Sequence, residues 1–538
     1  MSRSSSPFAG RLVVLSCFAG LLILGLAVYR DYGLSFDEAA QRVAGAVTVK
    51  DVAQRLAPWL VSPSMAILPP LDQFVDRDYG VAFEAPAVAI EALLRLTDHR
   101  DIFFFRHLLN FLVCLAGAAA VYGLARRRFG HRGLGLLAVA MLVLSPRLFA
   151  ESFYNSKDAV FMAAFAIALN TMLAFVLRPR WATALLHAAA TAFAIDIRIV
   201  ALVLVPATAV LVALRLAKRA EKGAQAVLRL GLYLAAAAIL VVAMWPWLWA
   251  DPVGRFAQAL RNMSHFVRWD GPVLYNGSFV RSTELPWHYA PVWIAITTPP
   301  LYLALFVVGT AATMIRLSRS GWRLWRTDGE LQDLVFLGLV VGALGGVIVS
   351  HAVMYDGWRH LYFIYPAFLL VALGGWHALW TASYQARLLR PALAVVTLVS
   401  LVMTAGWMVR AHPYQNVYFN ALAGPTASLR DRFELDYWGL AVRQGLEYVL
   451  SHDPSDPVYV KAGSFISLSP NFYMLSPRDR ARVRMASDDS APHYLFTNYR
   501  MERDISHARY LDRYDRFYQV KVDGEPILSV FKSKVARK

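Results

Sequence analysis

Apolar runs of roughly twenty residues recur along this chain, and no other feature limits its fold as much. A bilayer's hydrocarbon core takes ~20 helical residues to cross. Such runs lie near 12–29, 102–124, 133–150, 159–177, 182–197, 199–214, 227–249, 290–315, 331–350, 361–381 and 391–410. Residues 182–214 are nearly one continuous run, interrupted by Asp196 and Arg198, which predicts a tight reversal between two short spans. About eleven crossings are expected. Composition agrees: 57% of the 538 residues are hydrophobic and 17% are charged, against ~25% charged in a soluble domain. Arg3 and Arg11 precede the first run as in a signal peptide. The run is long enough to span and shows no small-residue cleavage pattern, so an uncleaved first helix is expected.

The net charge of +17 would suggest nucleic acid in a soluble protein. Here the basic residues collect in short turns: "ARRRFGHR" (125–132), "RPR" (178–180), "RLAKRAEKG" (215–223), "RLSRSGWRLWR" (316–326) and "QARLLR" (385–390). The positive-inside rule assigns these turns and the N-terminus to the cytoplasm. Topology then accounts for the charge, and no nucleic-acid partner is implied. The remaining connections face outward: 30–101, 151–158, 196–198, 250–289, 351–360 and everything after 411. They hold aromatic-polar stretches such as "FDEAA", "ESFYNSKD", "WPWLWADP" and "MYDGWRHLYFIYP". An interfacial aromatic belt explains the rings. It does not explain acids and bases at helix mouths, where ionisable groups face a cavity or one another. Cys17 and Cys114 both lie in apolar runs, so neither a disulfide framework nor a thiol metal site is expected.

After Ala411 no spanning run remains. "RFELDYWGLAVRQGLEYVL" reads as an amphipathic helix. "DPVYVKAG", "RARVRMAS", "PHYLFTNYR" and "RFYQVKVDGEPILSVFKSK" read as strands, the last a hairpin turning at "DG". The expected fold is an α-helical polytopic membrane domain, 1–411, with a long first outer loop at 30–101. A small extracytoplasmic α/β domain follows at 412–538.

"RDYGLSFDEAAQRV" (30–43) sets adjacent acids, Asp37 and Glu38, directly after the first span. Helix capping and the helix dipole would explain them. So would a catalytic carboxylate at the membrane surface. Asp158 has the same two readings at the head of the 159–177 run. Arg359 and His360 either snorkel to headgroups or meet an anion. Arg198 either pairs with Asp196 or does likewise.

These stretches, in this order and on one face, resemble the GT-C class of integral-membrane glycosyltransferases. The resemblance is to the group that includes the lipid A aminoarabinose transferase, the protein O-mannosyltransferases and the bacterial family 39 enzymes. It rests on the acidic pair Asp37-Glu38, on "FEAP" (83–86), on Asp158 in "NSKDAVF" and on "RHLYFIYP" (359–366), and it covers about 1–411. Where relatives often carry Lys-Pro-Pro or His-Pro-Pro, this chain has Glu84-Ala85-Pro86.

The resemblance implies transfer of a sugar from a polyprenyl-phosphate donor to an acceptor on the outer face of a bacterial cytoplasmic membrane. The acceptor would be a glycan, a lipid or a protein. The donor's leaving group is already anionic. The enzyme must therefore deprotonate an acceptor hydroxyl and stabilise the departing phosphate. One base acting in a direct displacement gives inversion. Asp37 is expected as that base and Asp158 as the second catalytic acid. Glu38 would orient the loop or help with acceptor binding. Lys157, Arg198, Arg359 and His360 are candidates for the phosphate. Arg281 and His288 lie in the loop 250–289, suited to cover the donor. Glu84 would act on the acceptor or, with Asp37 and Asp158, hold a divalent cation; no spacing demands a cofactor. No HExxH, Walker or GxSxG pattern is present. A transporter or flippase for a lipid-linked glycan is the alternative, but transporters set their ionisable groups near the midplane. A scaffold acting through 412–538 would leave the membrane acids unexplained.

Overall fold

The computed structural model describes residues 7–218, 223–264, 268–383, 388–466, 468–487, 492–502 and 508–534. Parts of the basic turns 215–223 and 385–390 lie outside them. Among the described residues, nine helices are long and apolar enough to cross a membrane, or ten if one bent pair counts as a single span. The expected segments are all helical, but the count of about eleven is corrected at two places. Residues 133–150 form two helices, Arg132–Val143 and Pro146–Tyr154, bent by 73°. Pro146 causes the break: it lacks an N–H, and its ring disfavours helix in the residue before it. Trp181–Ile197 is apolar but only 17 residues long. The 290–315 run also divides, into Tyr289–Thr297 and Pro300–Ser320, at the Pro299-Pro300 pair.

The helix Asp158–Leu177 lies at the centre. The consecutive residues Val160, Phe161, Met162, Ala163 and Ala164 are all buried, so every face of it is covered, as expected for a helix apolar all round. Pro300–Ser320 crosses Tyr365–Ala382 backbone to backbone. A Cβ at Gly309 or Gly375 would collide with the facing main chain, so the small residues permit the close approach.

The long loop 30–101 folds into helices Glu38–Leu56 and Glu84–Leu93 with short turns between them. The loop 250–289 is not irregular. It holds helix Pro252–Ser264 and a hairpin of β1 (Pro272–Tyr275) and β2 (Ser278–Arg281). Asn276 and Gly277 turn that hairpin, both at positive φ.

In the C-terminal domain the expected strands are all present. They are β3 (Val458–Ala462), β4 (Val483–Met485), β5 (Tyr494–Thr497), β6 (Tyr514–Val522) and β7 (Glu525–Ser533). Their order is β4-β3-β5-β7-β6, with β3 parallel to β4 and β5, and β7 antiparallel to β5 and β6. The amphipathic helix is shorter than its sequence pattern: it runs Ala441–His452. The preceding "FELDYWGL" is held open instead. Asp436 accepts from Ala441 N at 3.0 Å and from Asn416 Nδ2 at 3.1 Å.

The domain is bound to the mouth of the bundle. Asn471 exchanges two hydrogen bonds with the Leu34 backbone, both 3.2 Å. Arg443 donates to the carbonyls of Arg30 and Tyr32. Leu440 approaches Gly33 so closely that any side chain at 33 would strike its carbonyl.

Candidate active site

Four chain segments meet beneath this domain. Asp37 ends the turn after the first span. Asp158 opens the central helix, Arg198 ends the helix Trp181–Ile197, and Arg359 begins the turn that leads into Tyr365–Ala382. Asp158 is 1% exposed, and both of its oxygens are engaged: Oδ1 by Arg198 and Oδ2 by Arg359 Nη1 at 2.7 Å. The same Nη1 stands 3.4 Å from Asp37 Oδ2. Arg359 Nη2 is 3.4 Å from Asp356 Oδ2. Tyr355 and Trp438 flank the Arg359 guanidinium, with ring centres at 4.8 and 5.0 Å.

The adjacent acids have separate roles. Glu38 does the local work: its Oε2 accepts from Ser35 N at 2.7 Å, and its Oε1 lies 2.9 Å from His107 Nε2. Asp37 stands at the N-cap position, yet its side chain makes no capping hydrogen bond. It remains 34% exposed. Glu38 is therefore accounted for by its bonds to the Ser35 turn and to His107, and Asp37 is not accounted for by capping. Asp158 is not a cap either, since Asn155 Oδ1 takes its N–H at 2.7 Å. Asn155 is held in turn by Glu151, which also accepts from Tyr362 OH at 2.7 Å.

Lys157 Nζ lies 3.4 Å over the centre of the Tyr79 ring. Burial, reinforced by the neighbouring Arg198, pushes its ammonium down to about 7. His360 packs edge-on to Tyr355 at 4.8 Å between ring centres. The Arg198–Asp196 pairing open in the sequence does not form. Asp196 instead accepts from Ala82 N at 2.6 Å and ties the 79–82 turn to the bundle.

Three expected site residues stand elsewhere. Glu84 is 5% exposed and pairs with Arg106, which also holds Glu91 at 2.8 Å. That pairing takes Glu84 from an acceptor or cation role. Among the described residues no three His, Cys, Asp or Glu side chains gather as a cation site, so the set Asp37, Asp158 and Glu84 is not assembled. Arg281 pairs with Asp270 on the exposed hairpin, and His288 Nδ1 meets Tyr275 OH at 2.6 Å. Asp158 stands where it was expected, with both oxygens on arginines.

Sequence reasoning missed Asp356, Arg500 and Glu434. Arg500 Nη2 donates to Asp356 Oδ1 at 2.5 Å, and its Nε lies 3.7 Å from Glu434 Oε2. Burial opposes the Arg500 charge, but Asp356 and Glu434 outweigh it and hold the group above the ordinary arginine value. Burial pushes the Glu434 carboxyl up to about 7, against the pull of Arg500. Asp356 had a signal, three residues before Arg359 in a helix-mouth stretch. Arg500 had none, since it follows a strand of the C-terminal sheet.

No curated protein matches this chain. Two crystal structures of ArnT from Cupriavidus metallidurans are similar across 97% of this chain and 98% of theirs. The apo form has a TM-score of 0.45 at 12% identity, and the form bound to undecaprenyl phosphate has 0.48 at 14%. The Archaeoglobus fulgidus oligosaccharyltransferase, crystallised with zinc and sulfate, covers 86% of this chain and 62% of its own at 12% identity, with a TM-score of 0.42. A family model, dolichyl-phosphate-mannose-protein mannosyltransferase, matches residues 88–249. That stretch contains Lys157, Asp158 and Arg198, while Asp37 and Arg359 lie outside it. Over residues 88–249 this multi-pass membrane chain is thus similar to the dolichyl-phosphate-mannose-protein mannosyltransferases, part of the group its sequence resembles.

Proposed function

We propose that the chain is an integral-membrane glycosyltransferase that moves a sugar from a polyprenyl phosphate to an acceptor hydroxyl. The reaction takes place at the extracytoplasmic mouth of the bundle. One observation carries this reading: Asp37 is a partly exposed carboxylate with no capping role, set against guanidiniums that Asp158 fixes. A carboxylate acting on a hydroxyl and cations facing a phosphate are the two parts the chemistry requires.

Asp37 accepts the acceptor's proton as its oxygen attacks the sugar's anomeric carbon. The bond to the phosphate oxygen breaks, and its electron pair stays with the phosphate. Arg359, Arg198, Lys157 and His360 face that growing charge. Asp158 sits in the first turn of its helix, where the dipole favours an anion, and it holds two of these cations without needing a proton. One displacement inverts the anomeric centre.

The test uses purified full-length chain in vesicles with labelled polyprenyl-phosphate sugars and envelope glycan, lipid and protein acceptors. Label transferred to an acceptor supports the reading. Label that only crosses the bilayer would mean a flippase, and label that does neither would leave a scaffold.

A further inference from the structure

After β5 the chain carries Arg500 out of the soluble sheet and into the mouth of the membrane domain. The side chain is 4% exposed. Its Nη1 donates to Tyr437 O at 3.0 Å, and its Nη2 reaches Asp356 Oδ1 at 2.5 Å. The rings of Phe36, Trp269 and Phe465 surround it, with centres at 5.6, 5.9 and 5.3 Å. The other oxygen of Asp356 faces Arg359. Asp356 has a φ of 55°, left-handed backbone that a non-glycine residue adopts at a cost, and Gly357 follows at 73°. The strained turn aims one carboxylate at two guanidiniums, one from each domain.

We infer that the C-terminal domain completes the active site, with Arg500 as a positioning residue that acts through Asp356 to aim Arg359 between Asp158 and Asp37. This rests on the transferase reading above. Without Arg500, buried Asp356 keeps a single partner. It then draws Arg359 toward itself and away from Asp37. A lysine at 500 restores the charge but not the planar fork that spans Asp356 and the Tyr437 carbonyl.

The experiment compares Arg500→Gln, Arg500→Lys and a sheet-core control, Ile527→Ala, in the purified full-length chain. Arg500→Gln should lower kcat on the order of ten- to a hundredfold, as loss of an outer-shell partner does. KM for the donor should change less, because the leaving phosphate gains charge only as the bond breaks. Groups facing Asp37 are Arg359, Lys157, Arg500 and Tyr355. Removing one positive charge from that set should move the acid limb of kcat/KM to higher pH. Arg500→Lys should restore the limb and part of kcat. Ile527→Ala should lower the folded yield and leave the limb in place. An unmoved limb in Arg500→Gln, with activity lost only in proportion to folded protein, would overturn the inference.

A second readout needs no turnover. Hydrogen exchange in 355–364 should rise in Arg500→Gln and not in Ile527→Ala. Unchanged exchange would defeat the positioning role even if the wild type transfers sugar. Raised exchange in a chain that transfers none would defeat only the function.

Discussion

Two arginine–aspartate clusters differ in what they leave open. One lies near the start of the helix Asp328–Val349, where Asp333 meets the basic end of His99–Phe129. The other lies past the far end of Asp328–Val349, where Arg359 meets Asp158. At the basic end, Arg128 meets both oxygens of Asp333 at 2.6 and 2.7 Å, and Arg316 adds a third contact at 2.9 Å. Each group there links one helix to another. At the other end, Asp158 is saturated in the same way, but Asp37 beside it has one long contact and stays a third exposed. The same residue types therefore serve two purposes. A closed set joins helices, whereas a set with one unsatisfied carboxylate and a facing cation can take part in proton and phosphate chemistry.

Swapping one carboxylate for its amide at each end should separate these purposes most widely. Asp37→Asn keeps the shape and removes proton acceptance. Transfer should fall at least roughly a hundredfold in folded, membrane-inserted protein that still binds donor. A lost cap would cost only ~1 kcal/mol, and Asn caps as well as Asp, so turnover within a few-fold of wild type would remove Asp37 from the mechanism. Asp333→Asn should do the reverse. It strands Arg128 and Arg316, costing about 3 kcal/mol by analogy with other broken buried pairs. The remaining folded protein should keep its kcat. A kcat loss there as large as in Asp37→Asn would mean that the two ends are coupled and the comparison is wrong.

Cations sharpen the same contrast with a smaller effect. Arg359→Ala should weaken donor use on the order of ten- to a hundredfold, in line with the loss of a charge-stabilising donor. Arg128→Ala should act on thermal stability instead. Arg126→Ala, at an exposed position on the same basic turn, should stay within about 0.5 kcal/mol of wild type. Equal loss of donor use in all three would relocate the phosphate site, with Arg198 next to test.

The helical segments were legible because each bilayer crossing needs a long apolar run; the breaks at Pro146 and Pro299-Pro300 were not read, because apolar sequence continues on both sides of each. The strands of the C-terminal domain were legible from alternation and from the Asp523-Gly524 turn. The site was only half legible. Asp37, Asp158, Arg198 and Arg359 lie in short stretches where charge interrupts apolar sequence, and the fold brings them together. Glu84 had the same appearance. Its partner Arg106 sits 22 positions away, and nothing local reveals a pairing across two helices. Arg500 was invisible because its role depends on the docking of a separate domain. "FELDYWGL" misled in another way: its apolar residues have helical spacing, but they bury against the mouth of the bundle, and Asp436 starts the helix later.

Lys157 gives the smallest and most specific test of the open end. Its folded value is about 7, against an ordinary 10.5, because burial and Arg198 disfavour the ammonium. Between those values the unfolded chain holds a proton that the folded chain gives up. Stability from this group therefore rises with pH across that window, and charging the lysine below about 7 costs stability. Donor binding has the opposite sign, since a phosphate prefers the ammonium. A polyprenyl-phosphate sugar is a phosphodiester with no proton to lose between pH 6 and 8, so any slope in its affinity there belongs to the protein. Wild-type affinity for this donor should weaken from pH 6 to pH 8, by up to about tenfold for a group titrating midway. Lys157→Arg should flatten that slope, because a guanidinium stays charged throughout. No such term is expected at the basic end, where Asp333 is already matched by two arginines, so Arg128→Lys should leave the slope as it is. An equal slope in wild type and Lys157→Arg would take Lys157 out of the donor site and leave Arg198 and Arg359 to hold the phosphate.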